Sequence, residues 1–144
     1  RDMDAAIFRP EPLGLRDRML DLNIKDRLSY DAEANTVYMN YAGMRVRSED
    51  DLHKIKEAVD NFLGPLGKRV YAIVNYDRFH ADEDIMAPYL DLVRYVEEKY
   101  YIKVSRYTNS GFMRLKLGKE LSKRKISSSV FESQKEAHKN IVRR

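Results

Sequence analysis

Cysteine is absent from the 144 residues. That excludes a disulfide scaffold, a thiolate metal site and a cysteine nucleophile, and it makes a cytoplasmic location the expectation. No apolar run approaches the ~18 residues a membrane-spanning helix needs. The opening residues lack the basic, apolar and small-residue succession of a signal peptide. Glycine is scarce, six scattered residues, so no glycine-rich phosphate loop is present. Gly-x-Ser-x-Gly does not occur. The three histidines, His53, His80 and His138, show no serine and carboxylate pairing, so nucleophilic catalysis has no support. A start methionine is missing too. The chain opens Arg1-Asp2-Met3, which leads us to expect a cut inside a longer protein.

What is present is apolar enough to fold and heavily charged. Hydrophobic residues make up 43% and charged residues 35%, a globular composition of one-domain size and not a disordered one. The net charge of +4 is unevenly placed. Residues 113–144 hold ten basic and three acidic side chains, a net +7, which leaves −3 for residues 1–112. Such asymmetry marks an anionic partner or an acidic protein surface as a candidate.

Residues 1–15, with Pro10, Pro12 and Gly14, read as an extended linker, and Leu15, Met19 and Leu22 as a short helix. Leu28 and Tyr30, then Val37, Met39 and Tyr41, alternate with polar neighbours across a turn at Asp31–Asn35, which predicts a β-hairpin. Ser48 caps the clearest helix, where Leu52, Ile55, Val59 and Phe62 or Leu63 share a face and Gly64-Pro65 stops the run. The continuous apolar stretch Val70–Val74 predicts a strand covered on both faces. Ile85, Tyr89, Val93, Val96 and Tyr100 form the next helical stripe, with Pro88 expected near its first turn. A strand at Val104–Tyr107 leads through Thr108–Gly111 into a third helix. There Phe112, Leu115 and Leu121 are expected to pack inward and Lys116, Lys119, Lys123 and Arg124 to point outward. Gly118 weakens that helix by about 1 kcal/mol relative to alanine. Val130-Phe131 reads as a strand, and Ser133-x-x-Glu136 as the capping box of a last helix. The order of hairpin followed by alternating helices and strands predicts an α/β fold with a mixed sheet. In element order it is similar to the STAS fold of anti-sigma-factor antagonists.

Two loops could carry chemistry. Asp77–Asp84 gathers His80, Asp77 and Asp82 as potential metal ligands, but capping of the following helix by Asp82 or Asp84 is the simpler reading, and we assign no metal. Arg106, Thr108, Ser110 and Arg114 surround a strand-to-helix turn whose N–H groups could hold a phosphate or carboxylate, with Lys116 and Lys119 further along the helix. The plainer alternative is a helix cap by Thr108, Asn109 or Ser110. The basic tail has the charge for nucleic acid, but Phe131 is its one aromatic residue between 113 and 144, so nucleic-acid binding is kept only as the weaker alternative.

Several stretches together resemble the long single-chain class I coenzyme A transferases. Met3-Asp4-Ala5-Ala6-Ile7-Phe8 and Glu11-Pro12-Leu13-Gly14-Leu15 look like the end of the catalytic region. Arg27–Asp31, Val70–Asp77, Arg106-Tyr107-Thr108 and Phe112–Gly118 look like the carboxy-terminal extension that some of those proteins carry. The resemblance implies a parent that moves coenzyme A between an acyl-CoA and a carboxylic acid through a glutamate nucleophile. That nucleophile lies upstream, so the resemblance assigns this chain no catalytic residue and no cofactor. The coenzyme A thioesters are substrates of the parent. The chain is then an assembly or regulatory domain over residues 16–144, its partners the parent's catalytic region or a second copy, without a membrane. Arg114, Lys116 and Lys119 would face coenzyme A phosphates or an acidic patch of the catalytic body. The alternative is an independent STAS-like signalling module, phosphorylated at Thr108, Ser110 or Ser127–Ser129.

Overall fold

A computed structural model describes residues 23–142. The linker expected over residues 1–15 and the helix expected from Leu15 to Leu22 lie outside the described residues. Ile24–Arg27 forms a 3-10 turn that runs directly into the hairpin. Its strands are β1 (Leu28–Asp31) and β2 (Thr36–Asn40), antiparallel, with Leu28 opposite Met39 and Asp31 opposite Thr36. The turn closes because the Asp31 carboxylate accepts the N–H groups of Glu33 and Ala34 at 3.0 and 3.3 Å, while Asn35 takes a left-handed φ of 51°. Aspartate and asparagine tolerate both roles better than other non-glycine residues.

Helix α1 (Glu49–Leu63) starts as expected. Ser48 Oγ accepts the Asp51 N–H at 3.2 Å, and the Asp51 carboxylate reaches back to the Arg47 N–H at 2.8 Å. Leu52, Ile55, Val59 and Leu63 are buried. The α-helix ends at Leu63, just before Gly64-Pro65 as expected, though not through a left-handed Gly64. Gly64 is still helical at φ −54° and opens a 3-10 turn through Leu66, and the left-handed residue is Gly67 at φ 65°. Pro65 fits inside that turn because the first residues of a helical turn need no N–H partner.

Strand β4 (Val70–Asn75) is the middle of a five-stranded sheet in the order β1-β2-β4-β6-β7, where β6 is Tyr101–Tyr107 and β7 is Val130–Phe131. It pairs in parallel with β2 and β6, and β6 pairs in parallel with β7. Only β1 runs the other way, so the sheet is mixed. Two-residue strands β3 (Arg45–Val46) and β5 (His80–Ala81) form a separate parallel pair. They are too short to show a period in the sequence.

The intervening helices are α2 (Glu83–Tyr100) and α3 (Gly111–Lys123), and α4 (Gln134–Val142) comes last. Residues of α1, α2 and α3 share one buried cluster with Val70, Ala72 and Val74, while Ala137 and Ile141 of α4 pack with Ile73. Alternate side chains of a strand face opposite ways, so β4 is covered on both faces, as its unbroken apolarity requires. Each fully buried aliphatic side chain contributes about 1.5–3 kcal/mol.

One expectation for α2 is met and one for α3 needs correction. Pro88 lies near the first turn of α2, as its sixth residue, and the helix runs through it. The lost N–H removes one bond, to the Asp84 carbonyl, near the helix start. In α3, Phe112 and Leu115 are each 75% exposed, and the buried pair is Leu117 and Leu121. These two are spaced i,i+4 and select the inward face, whereas Phe112 and Leu115 occupy a different side of the first turn.

Candidate functional site

The carboxyl ends of β4 and β6 and the start of α3 meet at one edge of the sheet. Asp77 anchors this edge. Its carboxylate accepts the Asn109 N–H at 2.7 Å and its carbonyl accepts the Gly43 N–H at 2.8 Å. Asn75 Oδ1 accepts the Asp77 N–H at 2.8 Å, which fixes the chain direction just past β4. Thr108 is fully buried, and its hydroxyl accepts the Ser110 N–H at 3.3 Å. Ser110 caps α3 by accepting the Met113 N–H at 3.1 Å. Arg114 Nη1 donates to the Thr108 carbonyl at 2.9 Å. Thr108, Ser110 and Arg114 are thus brought together in a cap whose polar groups serve one another.

Arg106 points elsewhere. It is 1% exposed and lies in the interior, where Nη1 donates to the Ser127 carbonyl at 2.7 Å and Nη2 to Glu97 Oε1 at 3.4 Å. Around it stand Tyr41, Tyr76, Tyr89 and Tyr101, all buried. The Tyr76 and Tyr89 hydroxyls lie 2.7 Å apart. Tyr41 and Tyr101 both donate to Met39 Sδ, at 3.7 and 3.1 Å. Burial pushes the hydroxyls of Tyr41 and Tyr89 well above the ordinary tyrosine pKa, so these side chains stay neutral. The sequence pattern hides this cluster because its members come from four separate segments.

Lys116 and Lys119 lie further along α3, half-buried and exposed respectively. From Gly111 to Lys119 the helix carries three cations (Arg114, Lys116, Lys119) and no carboxylate. Only in the last turn does Glu120 intervene, 2.9 Å from Arg124 and 3.5 Å from Lys123. Phe112 and Leu115 stand exposed within that cationic stretch. Ile102 is the only other large apolar side chain exposed among the described residues.

In the Asp77–Asp84 loop, His80 Nε2 lies 3.3 Å from Asp82 Oδ1 at the surface, while Asp77 is turned away toward Asn109. Asp82 is the residue before α2, but its carboxylate does not cap the helix; its carbonyl accepts the Ile85 N–H at 2.9 Å. Among the described residues no three histidine or carboxylate side chains are gathered as a metal ligand set. A groove of about 340 Å³ opens on the sheet face beside α4, lined by Tyr38, Asn40, Ile73, Asn75, Tyr107 and Gln134. It was not foreseen from sequence, since it depends on α4 leaving the β2 side of that face uncovered. No described helix is long and apolar enough to cross a membrane.

No protein-family model, curated protein or solved structure matches this chain.

Proposed function

We propose that this chain is a non-catalytic accessory domain of a cytoplasmic enzyme that transfers coenzyme A between an acyl-CoA and a carboxylic acid. It docks through α3 onto the catalytic region of its parent. The observation that carries the docking role is the exposed pair Phe112 and Leu115, one turn apart within the three-cation stretch of α3. Apolar anchors ringed by charge are how protein interfaces combine affinity with orientation. The partner surface it fits is acidic with an apolar recess. The identity of the parent rests on the resemblance of residues 3–15, 27–31, 70–77, 106–108 and 112–118 to coenzyme A transferases. Neighbouring groups already engage Thr108, Ser110 and Arg114, which supports a structural role for that loop rather than substrate handling.

The test is acyl-CoA:carboxylate transfer and solution mass of the full-length parent, beside a version ending at Leu15 and a full-length Phe112→Ser/Leu115→Ser variant. The expected result is retained turnover with weakened assembly or a lower melting temperature in both altered proteins. Intact assembly in the double variant removes α3 as the docking face. A parent inactive with every acyl-CoA tried overturns the enzyme assignment and leaves the independent STAS-like module in its place.

A further inference from the structure

Between β2, β4, β6, α1 and α2 lies a partly open cavity of about 20 Å³. Arg106, Tyr41, Tyr76, Tyr89, Tyr101 and Met39 supply its polar wall, and apolar side chains complete it. That volume admits one particle of about the size of a water molecule. Phosphate, carboxylate and nucleotide are all too large.

The hydrogen-bonding inventory of the wall leans toward donors, with the tyrosine oxygens and one thioether as its acceptors. Arg106 has five N–H donors, and its Nε, though buried, has no protein partner. Tyr41 and Tyr101 share one thioether sulfur, a weak acceptor. One proton suffices for the bond between Tyr76 and Tyr89, so the second hydroxyl of that pair has a proton to give. No carboxylate lines the cavity. Glu97, the counter-charge of Arg106, sits 3.4 Å away outside the wall and is shared with the Ser127 N–H and hydroxyl. Buried donors need acceptors, and a buried cation needs a close counter-charge. A monatomic anion accepts from several of these donors at once and adds negative charge beside the guanidinium, whereas a water would use two of the tyrosine oxygens as acceptors for its own protons.

We propose that this cavity is a halide site, occupied by chloride in ordinary salt solutions. Arg106 Nε and the hydroxyls of Tyr41 and Tyr101 are its ligands. Because these residues come from the loop after β2 and from both ends of β6, occupancy ties the sheet together and stabilises the fold by mass action. This inference is independent of the coenzyme A transferase reading.

The test uses the whole chain. Its melting temperature is followed against sodium chloride and sodium bromide, with sodium gluconate holding ionic strength constant, and a bromide-grown crystal is measured at the bromine absorption edge. The expected result is a saturable rise of several degrees in halide and an anomalous peak beside Arg106 Nε. Tyr101→Phe keeps the ring and removes one O–H, and should raise the halide midpoint about tenfold. Equal melting in all three salts, or a cavity peak without bromine signal, assigns the cavity to water and overturns the proposal. An unchanged midpoint in both Tyr101→Phe and Tyr41→Phe overturns the ligand assignment.

Discussion

Asp60 is the strongest single polar tie between α1 and α2, and its removal tests the packing described above. Its Oδ1 accepts the hydroxyls of Tyr95 at 2.8 Å and Tyr100 at 2.5 Å, and its Oδ2 accepts from Lys56 Nζ at 3.0 Å. Lys56 and Lys99 also lie over the Tyr95 ring at 4.6 and 5.3 Å. Hydrogen bonds to a charged group contribute about 1.5–3 kcal/mol each. The Asp60 side chain is 26% exposed, so solvent screening places its two tyrosine bonds at the low end of that range. Asp60→Ala should therefore lose about 2–3 kcal/mol, and Asp60→Asn, which keeps an acceptor, about 1 kcal/mol. Burial alone would raise the Asp60 pKa, but the bonds from Tyr100, Lys56 and Tyr95 outweigh it and hold the carboxyl below its usual range. A depressed pKa contributes stability that is present above the unfolded value near pH ~4 and lost as pH falls through the folded value. Urea unfolding followed by circular dichroism at pH 7 and on the acid side reads both effects, provided the m-value is unchanged. An alanine variant within about 0.5 kcal/mol of the parent would refute the reasoning, as would an asparagine variant with the parent's full acid dependence.

Leu121→Ala should destabilise by about 2–5 kcal/mol because Leu121 is fully buried, whereas Leu115→Ala should stay within about 0.5 kcal/mol, both read by urea unfolding. Gly118→Ala should stabilise by about 0.5–1 kcal/mol, since a Cβ there would meet the Ser128 carbonyl oxygen at an ordinary 3.5 Å. Ser48→Ala should lose about 1 kcal/mol with the α1 cap, measured by thermal melting. Tyr41 and Tyr89 have pKa values raised well above normal by burial, so their contribution is complete below about pH 10 and lost at higher pH. Near-ultraviolet absorbance should show them ionising only as the alkaline protein unfolds, and early ionisation of all ten tyrosines would contradict their burial.

The elements that sequence determined are those with a local cause. The hairpin follows from alternation on both sides of an Asp-to-Asn turn. The start of α1 follows from Ser48 placed three residues before Asp51, and the position of β4 from an apolar run that no half-exposed strand would carry. Each of these signals lies within a few residues, so neighbours in the chain suffice to read it. The order of elements then requires an α/β arrangement, because alternating strands and helices pack most readily as a sheet with helices.

The inward face of α3 was not determined in this way. Phe112, Leu115, Leu117 and Leu121 offer more than one apolar stripe, and burial in the main core cluster together with Ile126 chooses Leu117 and Leu121. The same holds for the candidate anion loop. Arg106, Thr108, Ser110 and Arg114 are close in sequence, but Arg106 lies within β6, which is covered on both faces, and enters the core, whereas Ser110 lies beyond the strand's end and caps a helix. The tyrosine ring around Arg106 and the groove beside α4 depend on pairings 30 or more residues apart, such as Ala72 with Val104. Only the assembled sheet supplies those pairings, because burial and hydrogen-bond demand are properties of the whole interior rather than of any one segment.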